Sequence, residues 1–247
     1  MDFEDLLGDA RSIVLVHAHP DDETLATGGL IAELADRGRH VAVLTATRGE
    51  RGEIVPGTLV ALDAEQLAEA RVDEVVEAAR TLGVRHGGFL GQPPARDAGA
   101  APRRYTDSGM VWLDEAETLA GPGEDAGPDA LSLADPDEIA ADIVAYARDR
   151  DADVLISYDD RGGYGHPDHV ALHEPTRRAA ELLGIPFWEV ASDPDGPGAT
   201  LATPHQLDRV KAALAHHASQ LTVDGDEVVH VGGQRQPILL RFTLRPA

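Results

Sequence analysis

The stretch Ile13-Val-Leu-Val16 leads through His17-Ala18 into His19-Pro-Asp-Asp-Glu-Thr24. The unbroken apolar, largely β-branched run reads as a buried strand, and the segment after it has the chemistry of a helix start. That is the opening of a β/α unit, and the pattern is sustained outward from it. Leu30, Ile31, Leu34 and Ala35 recur at helical spacing before Gly38 stops the helix, and His40 to Thr45 reads as a second strand. Ala64 to Leu82 predicts a longer helix ended by Gly83, with a short strand at Phe89-Leu90. Asp135-Pro-Asp-Glu138 combines an N-cap, a proline at the first helical position and a glutamate three residues on, opening a helix to about Asp149. Val154 to Ser157 is the next strand, His166-Pro-Asp-His169 leads a helix through Leu183, and Pro186 to Val190 is a further strand. Thr203-Pro-His-Gln206 caps a last helix to about Ala218, and 228–231 with 238–244, around Gly232-Gly233, reads as a closing antiparallel pair. The expected fold is α/β: a Rossmann-like, mostly parallel sheet flanked by helices, with a C-terminal antiparallel strand pair, in one domain over 1–247.

Composition bounds the function. The 247 residues carry 21 basic and 44 acidic side chains, a formal charge of −23, so the average surface repels nucleic acid and anionic lipid headgroups. Neither partner is expected. There is no cysteine, which excludes disulfides, thiolate metal sites and cysteine nucleophiles. Any metal must sit on imidazoles and carboxylates. The acidic start and the short run 13–16 do not have the form of a signal peptide or a span, so a cytoplasmic protein is expected. Residues 92–134 are rich in Gly, Pro and Asp, without periodicity, and too long for an idle connector; a substrate-side loop region is expected there.

Sites in parallel sheets form at the carboxyl ends of strands. The two His/Asp-rich segments, 19–22 and 166–169, each follow a buried strand directly or after one loop, so they can meet. In His19-Pro-Asp-Asp22 a nitrogen and a carboxylate three residues apart can face one ion while Asp21 points elsewhere. His169 can complete the site, with His166 one turn away and Asp168 available to orient an imidazole. The plainer alternative for either segment alone is a helix cap with surface histidines.

Ala18-His-Pro-Asp-Asp-Glu23 and Gly165-His-Pro-Asp-His169 resemble the two signatures of the LmbE-like, or PIG-L, deacetylase family. Gly49-Glu-Arg-Gly-Glu53, Arg104-Tyr-Thr-Asp-Ser-Gly-Met110 and Lys211-Ala-Ala-Leu-Ala-His-His-Ala-Ser-Gln220 also resemble actinobacterial members acting in mycothiol metabolism. The resemblance implies hydrolysis of an N-acyl group, usually acetyl, from an amino sugar such as an N-acetylglucosaminyl-inositol. It implies His19, Asp22 and His169 as metal ligands and Asp21 as general base. Two imidazoles, one carboxylate and an open position describe a catalytic zinc site, and iron(II) accepts the same ligands. Protonated His166, held by Asp168, would stabilise the oxyanion, and His166 or protonated Asp21 would donate to the leaving amine. Tyr164 resembles a mobile tyrosine of the mycothiol-type enzymes, the plainer alternative being a rim aromatic. Arg71 and Asp107 match positions that contact the sugar–inositol substrate there; the alternatives are an exposed Arg71 paired with Asp73 or Glu74, and an Asp107 that caps a turn. His216 and His217, near a helix end, are expected on the surface or at the helix dipole.

Other readings are a mycothiol S-conjugate amidase, a non-haem iron oxygenase and a non-catalytic sugar-binding protein. The oxygenase typically pairs His-x-Asp with a β-rich scaffold, whereas this chain has His-x-x-Asp in an α/β pattern. Asp21 and His166 supply the base and acid that a binding protein lacks, and no Gly-x-Ser-x-Gly elbow suggests a serine hydrolase. A homo-oligomer is left open by the sequence.

Overall fold

The computed structural model describes residues 6–59, 62–114, 116 and 119–247. In chain order its elements are β1 (Ser12–His17), α1 (Asp22–Leu25), α2 (Gly28–Asp36), β2 (His40–Thr45), α3 (Ala64–Leu82), β3 (His86–Phe89), β4 (Val111–Trp112) and β5 (Ala120–Gly121). There follow α4 (Pro136–Asp149), β6 (Val154–Tyr158), α5 (Pro167–Leu183), β7 (Phe187–Val190), β8 (Ala199–Ala202), α6 (Leu207–Leu214), β9 (Leu221–Asp224), β10 (Glu227–His230), β11 (Arg235–Pro237) and β12 (Arg241–Pro246).

Every residue of β1 is buried, and its side chains alternate between two cores. Ile13 and Leu15 pack with Leu30, Ile31 and Leu34 of α2, Leu82 of α3 and Val210 of α6. Val14 and Val16 face Ile139 and Ile143 of α4 and Leu172 of α5. Helices on both faces therefore explain the absence of a polar alternation in the sequence. Burial of each Leu, Ile or Val side chain contributes about 1.5–3 kcal/mol, which fixes the strand's register. His17 pairs with Thr45 at the last position of the β1–β2 ladder, so the chain leaves the sheet two residues before His19.

The seven-stranded sheet has the order β3-β2-β1-β6-β7-β12-β8. The first five strands are parallel. Strand order reverses between β1 and β6, and the crevice at such a switch point opens beyond the strands' carboxyl ends. Both candidate segments follow these two strands.

Local signals bound the helices. Asp63 and Gln66 form a reciprocal capping box on α3, which Gly83 closes at φ 89°. His166 is the N-cap of α5, with Pro167 at the first helical position.

The C-terminal region differs in detail. β10 pairs with β11 and with β9, whereas β12 inserts antiparallel between β7 and β8 in the main sheet. Phe242 and Leu244 of β12 point into the same core as Ile13, and Arg245 pairs with Glu189 of β7, which draws the strand away from β10. The last helix ends at Leu214, and 215–220 continues as turns. Within 92–134 the described residues form β4, β5 and a 3₁₀ turn at Leu131–Leu133. No helix among the described residues is long and apolar enough to cross a membrane.

Candidate metal centre

β1 delivers His19 and Asp22 to one side of the crevice, where the His19 backbone N–H donates to Asp22 Oδ2 at 2.8 Å. From the other side, the first turn of α5 delivers His169. Asp22 Oδ2 lies 3.3 Å from His19 Nδ1 and 3.2 Å from His169 Nε2, and the two nitrogens are 3.4 Å apart. An ion bound tetrahedrally at 2.0–2.1 Å has ligand–ligand edges of about 3.3–3.4 Å, so the donor triangle fits a zinc-sized cation. His19, His166 and His169 also form a convergent set, as do His19, Asp107 and Asp168. The triangle through Asp22 has all three edges close to the required one.

Asp168 is fully buried and defines the outer face of His19. Its carboxylate accepts from His19 Nε2 at 3.1 Å, from the Ser108 backbone N–H at 2.9 Å, from the Ser132 N–H at 3.1 Å and from the Ser108 hydroxyl. With a cation in the triangle, that bond would keep the proton on Nε2 and leave the Nδ1 lone pair for the ion. The expectation that Asp168 holds His166 is corrected: His166 Nδ1 accepts the Asp168 backbone N–H at 3.2 Å, as an N-cap does, because the carboxylate points into the Ser108 loop.

Charge in the cluster is unevenly distributed. Burial opposes protonation of His19, but Asp107, Asp168 and Asp22 outweigh it and raise this imidazole well above its ordinary range. Burial likewise opposes the charge on Asp22, yet His169 and His19 hold its carboxyl well below the usual range. The surplus carboxylates make this a site for positive charge. His166 is pushed down to about 4 by burial and by the neighbouring His19 and His169 rings.

Asp21 does not join the triangle. Its backbone sits at φ 117°, a region that costs of order 1–3 kcal/mol for a residue with a side chain. Burial, then the adjacent Asp22 carboxylate, raise its carboxyl to about 8. Tyr164 is 63% exposed, its ring 5.3 Å from that of His169 and 6.0 Å from that of His166. It also borders a groove of 650 Å³ lined by Leu133, Val170, Ala120 and Pro122.

Asp107 Oδ1 stands 3.7 Å from His19 Nε2, on the ring's outer face, and also accepts from the Gly109 N–H at 2.7 Å. It therefore caps a turn and borders the cluster at once. Arg71 is not the exposed ion pair that the plainer alternative supposed. Only 2% exposed, it donates to the Gly49 carbonyl and, at 2.9 Å, to the Glu53 carbonyl, holding the 49–53 loop. Gly52 leaves room for the guanidinium, which a Cβ at that position would meet.

Three features escaped the sequence reading. Tyr158, at the carboxyl end of β6, donates to Asp22 Oδ2 at 2.8 Å, accepts the Ala18 N–H at 2.9 Å and stacks on His169 at 4.2 Å. Its signal was a tyrosine directly after the strand expected over 154–157. Ser108 and Ser132 serve Asp168 from the irregular segment. His217, expected on the surface or at the helix dipole, is fully buried and pairs with the equally buried Glu23 at 2.9 Å, while neighbouring His216 stays outside. Burial opposes the charge of each, but their mutual attraction raises His217 and lowers Glu23.

The profile of the family described as PIG-L, GlcNAc-PI de-N-acetylase, matches residues 14–180. The chain is 37% identical to a 1D-myo-inositol 2-acetamido-2-deoxy-alpha-D-glucopyranoside deacetylase of Kineococcus radiotolerans, over 90% of this chain and 72% of the relative. A protein of the same description from Rhodococcus opacus is also 37% identical, over 93% and 89% of the two chains. Among solved structures, N,N'-diacetylchitobiose deacetylase from Pyrococcus horikoshii shares the fold, with a TM-score of 0.60 and 20% identity over 88% of this chain and 74% of that one.

Proposed function

The chain belongs to the PIG-L family, and from that premise we propose that it hydrolyses the N-acetyl group of an amino sugar, with an N-acetylglucosaminyl-inositol as substrate. The observation that carries this reading is the 3.2–3.4 Å triangle of His19, Asp22 and His169 beside a carboxylate, Asp21, that stands outside it. A divalent cation, zinc or iron(II), held by these three residues would supply Lewis-acid polarisation and a water of lowered pKa.

Asp21 accepts the proton of the attacking water at its carboxylate. A bound cation would lower this carboxyl from its raised value and so favour the carboxylate form that a base needs. Water adds to the acyl carbon, the C–N bond breaks, and Asp21 returns the proton to the departing nitrogen, giving acetate and a free amine. Neutral His166, with Nδ1 accepting from Asp168, keeps its proton on Nε2 and donates it as a hydrogen bond to the developing oxyanion. Tyr164 borders the same space from the solvent side. Asp107 is placed to receive a sugar hydroxyl, whereas Arg71 acts on substrate through the loop whose carbonyls it holds.

A second reading, hydrolysis of a mycothiol S-conjugate at its amide, is favoured by the apolar groove beside Tyr164, which suits a bulky acyl group. Purified cation-loaded protein assayed against N-acetylglucosaminyl-inositol, other N-acetylglucosamine glycosides and S-conjugates separates the two. Free amine from the first substrate, abolished by chelation and restored by zinc, cobalt or iron(II), is the expected result. Full activity in cation-free protein refutes the metal assignment.

A further inference from the structure

Asp21 keeps a backbone conformation that L-residues rarely adopt, and something must hold it there. The Pro20–Asp21 peptide is gripped at both ends. Its carbonyl accepts from Gln220 Nε2 at 2.7 Å, and its N–H donates to Glu23 Oε2 at 3.0 Å. The two gripping side chains are joined through His217, whose Nε2 donates to Glu23 Oε1 at 2.9 Å and whose Nδ1 lies 3.5 Å from Gln220 Nε2. Thr24 adds its hydroxyl to Glu23. The 217–220 segment is fixed in turn by α3, where Glu74 accepts the Ser219 N–H and hydroxyl, each at 2.7 Å.

We propose that Glu23, His217 and Gln220 form a clamp that sets the plane of the Pro20–Asp21 peptide and thereby aims the Asp21 carboxylate. They are positioning residues, and the inference rests on the reading of Asp21 as the base. A peptide held only by its neighbours along the chain can rotate and relieve the positive φ; one held at both its oxygen and its nitrogen cannot. None of the three belongs to the donor triangle, so their effect falls on the proton-transfer step and spares cation binding.

The test combines Gln220→Ala, Gln220→Glu, His217→Ala and His217→Gln, each made in the parent and in an Asp21→Asn background. For each, kcat and KM on N-acetylglucosaminyl-inositol are measured together with bound cation per chain. Gln220 is half-buried on a turn, so its variants keep the test open where His217→Ala fails to fold. Gln220→Ala should lower kcat about tenfold, a fraction of the 10²–10⁴ that general-base assistance supplies, with KM and cation content within twofold of parent. Gln220→Glu, which brings an acceptor against the carbonyl, should lose at least as much, and His217→Gln should recover part of the His217→Ala loss. In the Asp21→Asn background, Gln220→Ala should cost under about twofold, because residues that act through one group are not additive. A Gln220→Ala variant with parental kcat, or one whose full loss recurs without Asp21, overturns the clamp alone. An Asp21→Asn enzyme of near-parental rate overturns the base and the clamp together.

Discussion

Replacing Asp168 by Asn keeps the side chain's shape and removes its charge. One of its two oxygens, which accept from His19, Ser108 and Ser132, becomes an amide nitrogen that must face a donor. Loss of a hydrogen bond to a charged group costs about 1.5–3 kcal/mol. Separately, removal of an outer-sphere carboxylate on a ligating histidine weakens metal binding about 10- to 100-fold, or about 1.4–2.8 kcal/mol at 1.4 per tenfold. The two routes agree. Cobalt titration followed by its visible absorption, with chelator competition for zinc, should show Kd rising within that range for Asp168→Asn. Ser108→Ala, which leaves the carboxylate charged, should change it less. Parental affinity in Asp168→Asn, with an unchanged cobalt spectrum, would refute the claim that this carboxylate sets the His19 tautomer.

Asp21→Asn should lower kcat by about two orders of magnitude or more without loss of cation, checked by steady-state kinetics and elemental analysis; loss of the metal would make Asp21 a ligand. In chelator, Asp21 and His19 both have raised folded pKa values, so their stabilisation is complete below their unfolded values near 3.8 and 6.5 and declines as pH rises through the folded ones, about 8 for Asp21. Below pH 6.5 the lowered imidazoles of His166 and His17 act in the opposite sense, so the cation-free melting temperature should fall between about pH 6.5 and 8, and less steeply in Asp21→Asn. Asp22 and Asp168, whose values are lowered, lose their contribution only as pH falls below the ordinary carboxylate range. Arg71→Ala strands two loop carbonyls and should destabilise by about 2–4 kcal/mol, read in denaturant melts. Asp107→Ala should raise KM for N-acetylglucosaminyl-inositol more than for free N-acetylglucosamine and leave the melting temperature near parental; equal small effects on both would assign it to the turn alone.

What the sequence displayed was local. The run 13–16, Gly83 after α3 and the Asp135-Pro136 start of α4 each encode an element or its end through neighbours within a turn, and the element follows. The two histidine segments were legible because strand ends converge in such a sheet. Partnerships across the chain were not. His217 meets Glu23 across nearly two hundred positions, and the adjacent His216, rotated about 100° on the turn, bonds Thr81 at the surface, so composition gives no sign of which is buried. Asp168 reaches His19 and not its near neighbour His166 because the Ser108 loop, which has no periodicity to read, supplies its other donors. β12 misled for a similar reason: its alternation suits either sheet, and only Glu189 and the core around Ile13 select one.

The switch between β1 and β6 also orders events in time. β1 finds β2 within about thirty residues, but its other edge is met only by Val154 to Ile156. During synthesis that edge stays open while more than a hundred residues are added, and long-range pairing of this kind is slow. An open apolar strand edge is a template for another chain, so a polypeptide interrupted before β6 should be prone to association rather than to partial function. The cation offers no early rescue, because His169 lies beyond β6 and the donor set is incomplete until both edges of β1 are occupied. Hydrogen exchange pulsed during refolding should show β1 amides protected along the β2 edge before the β6 edge, with cation-dependent protection appearing last.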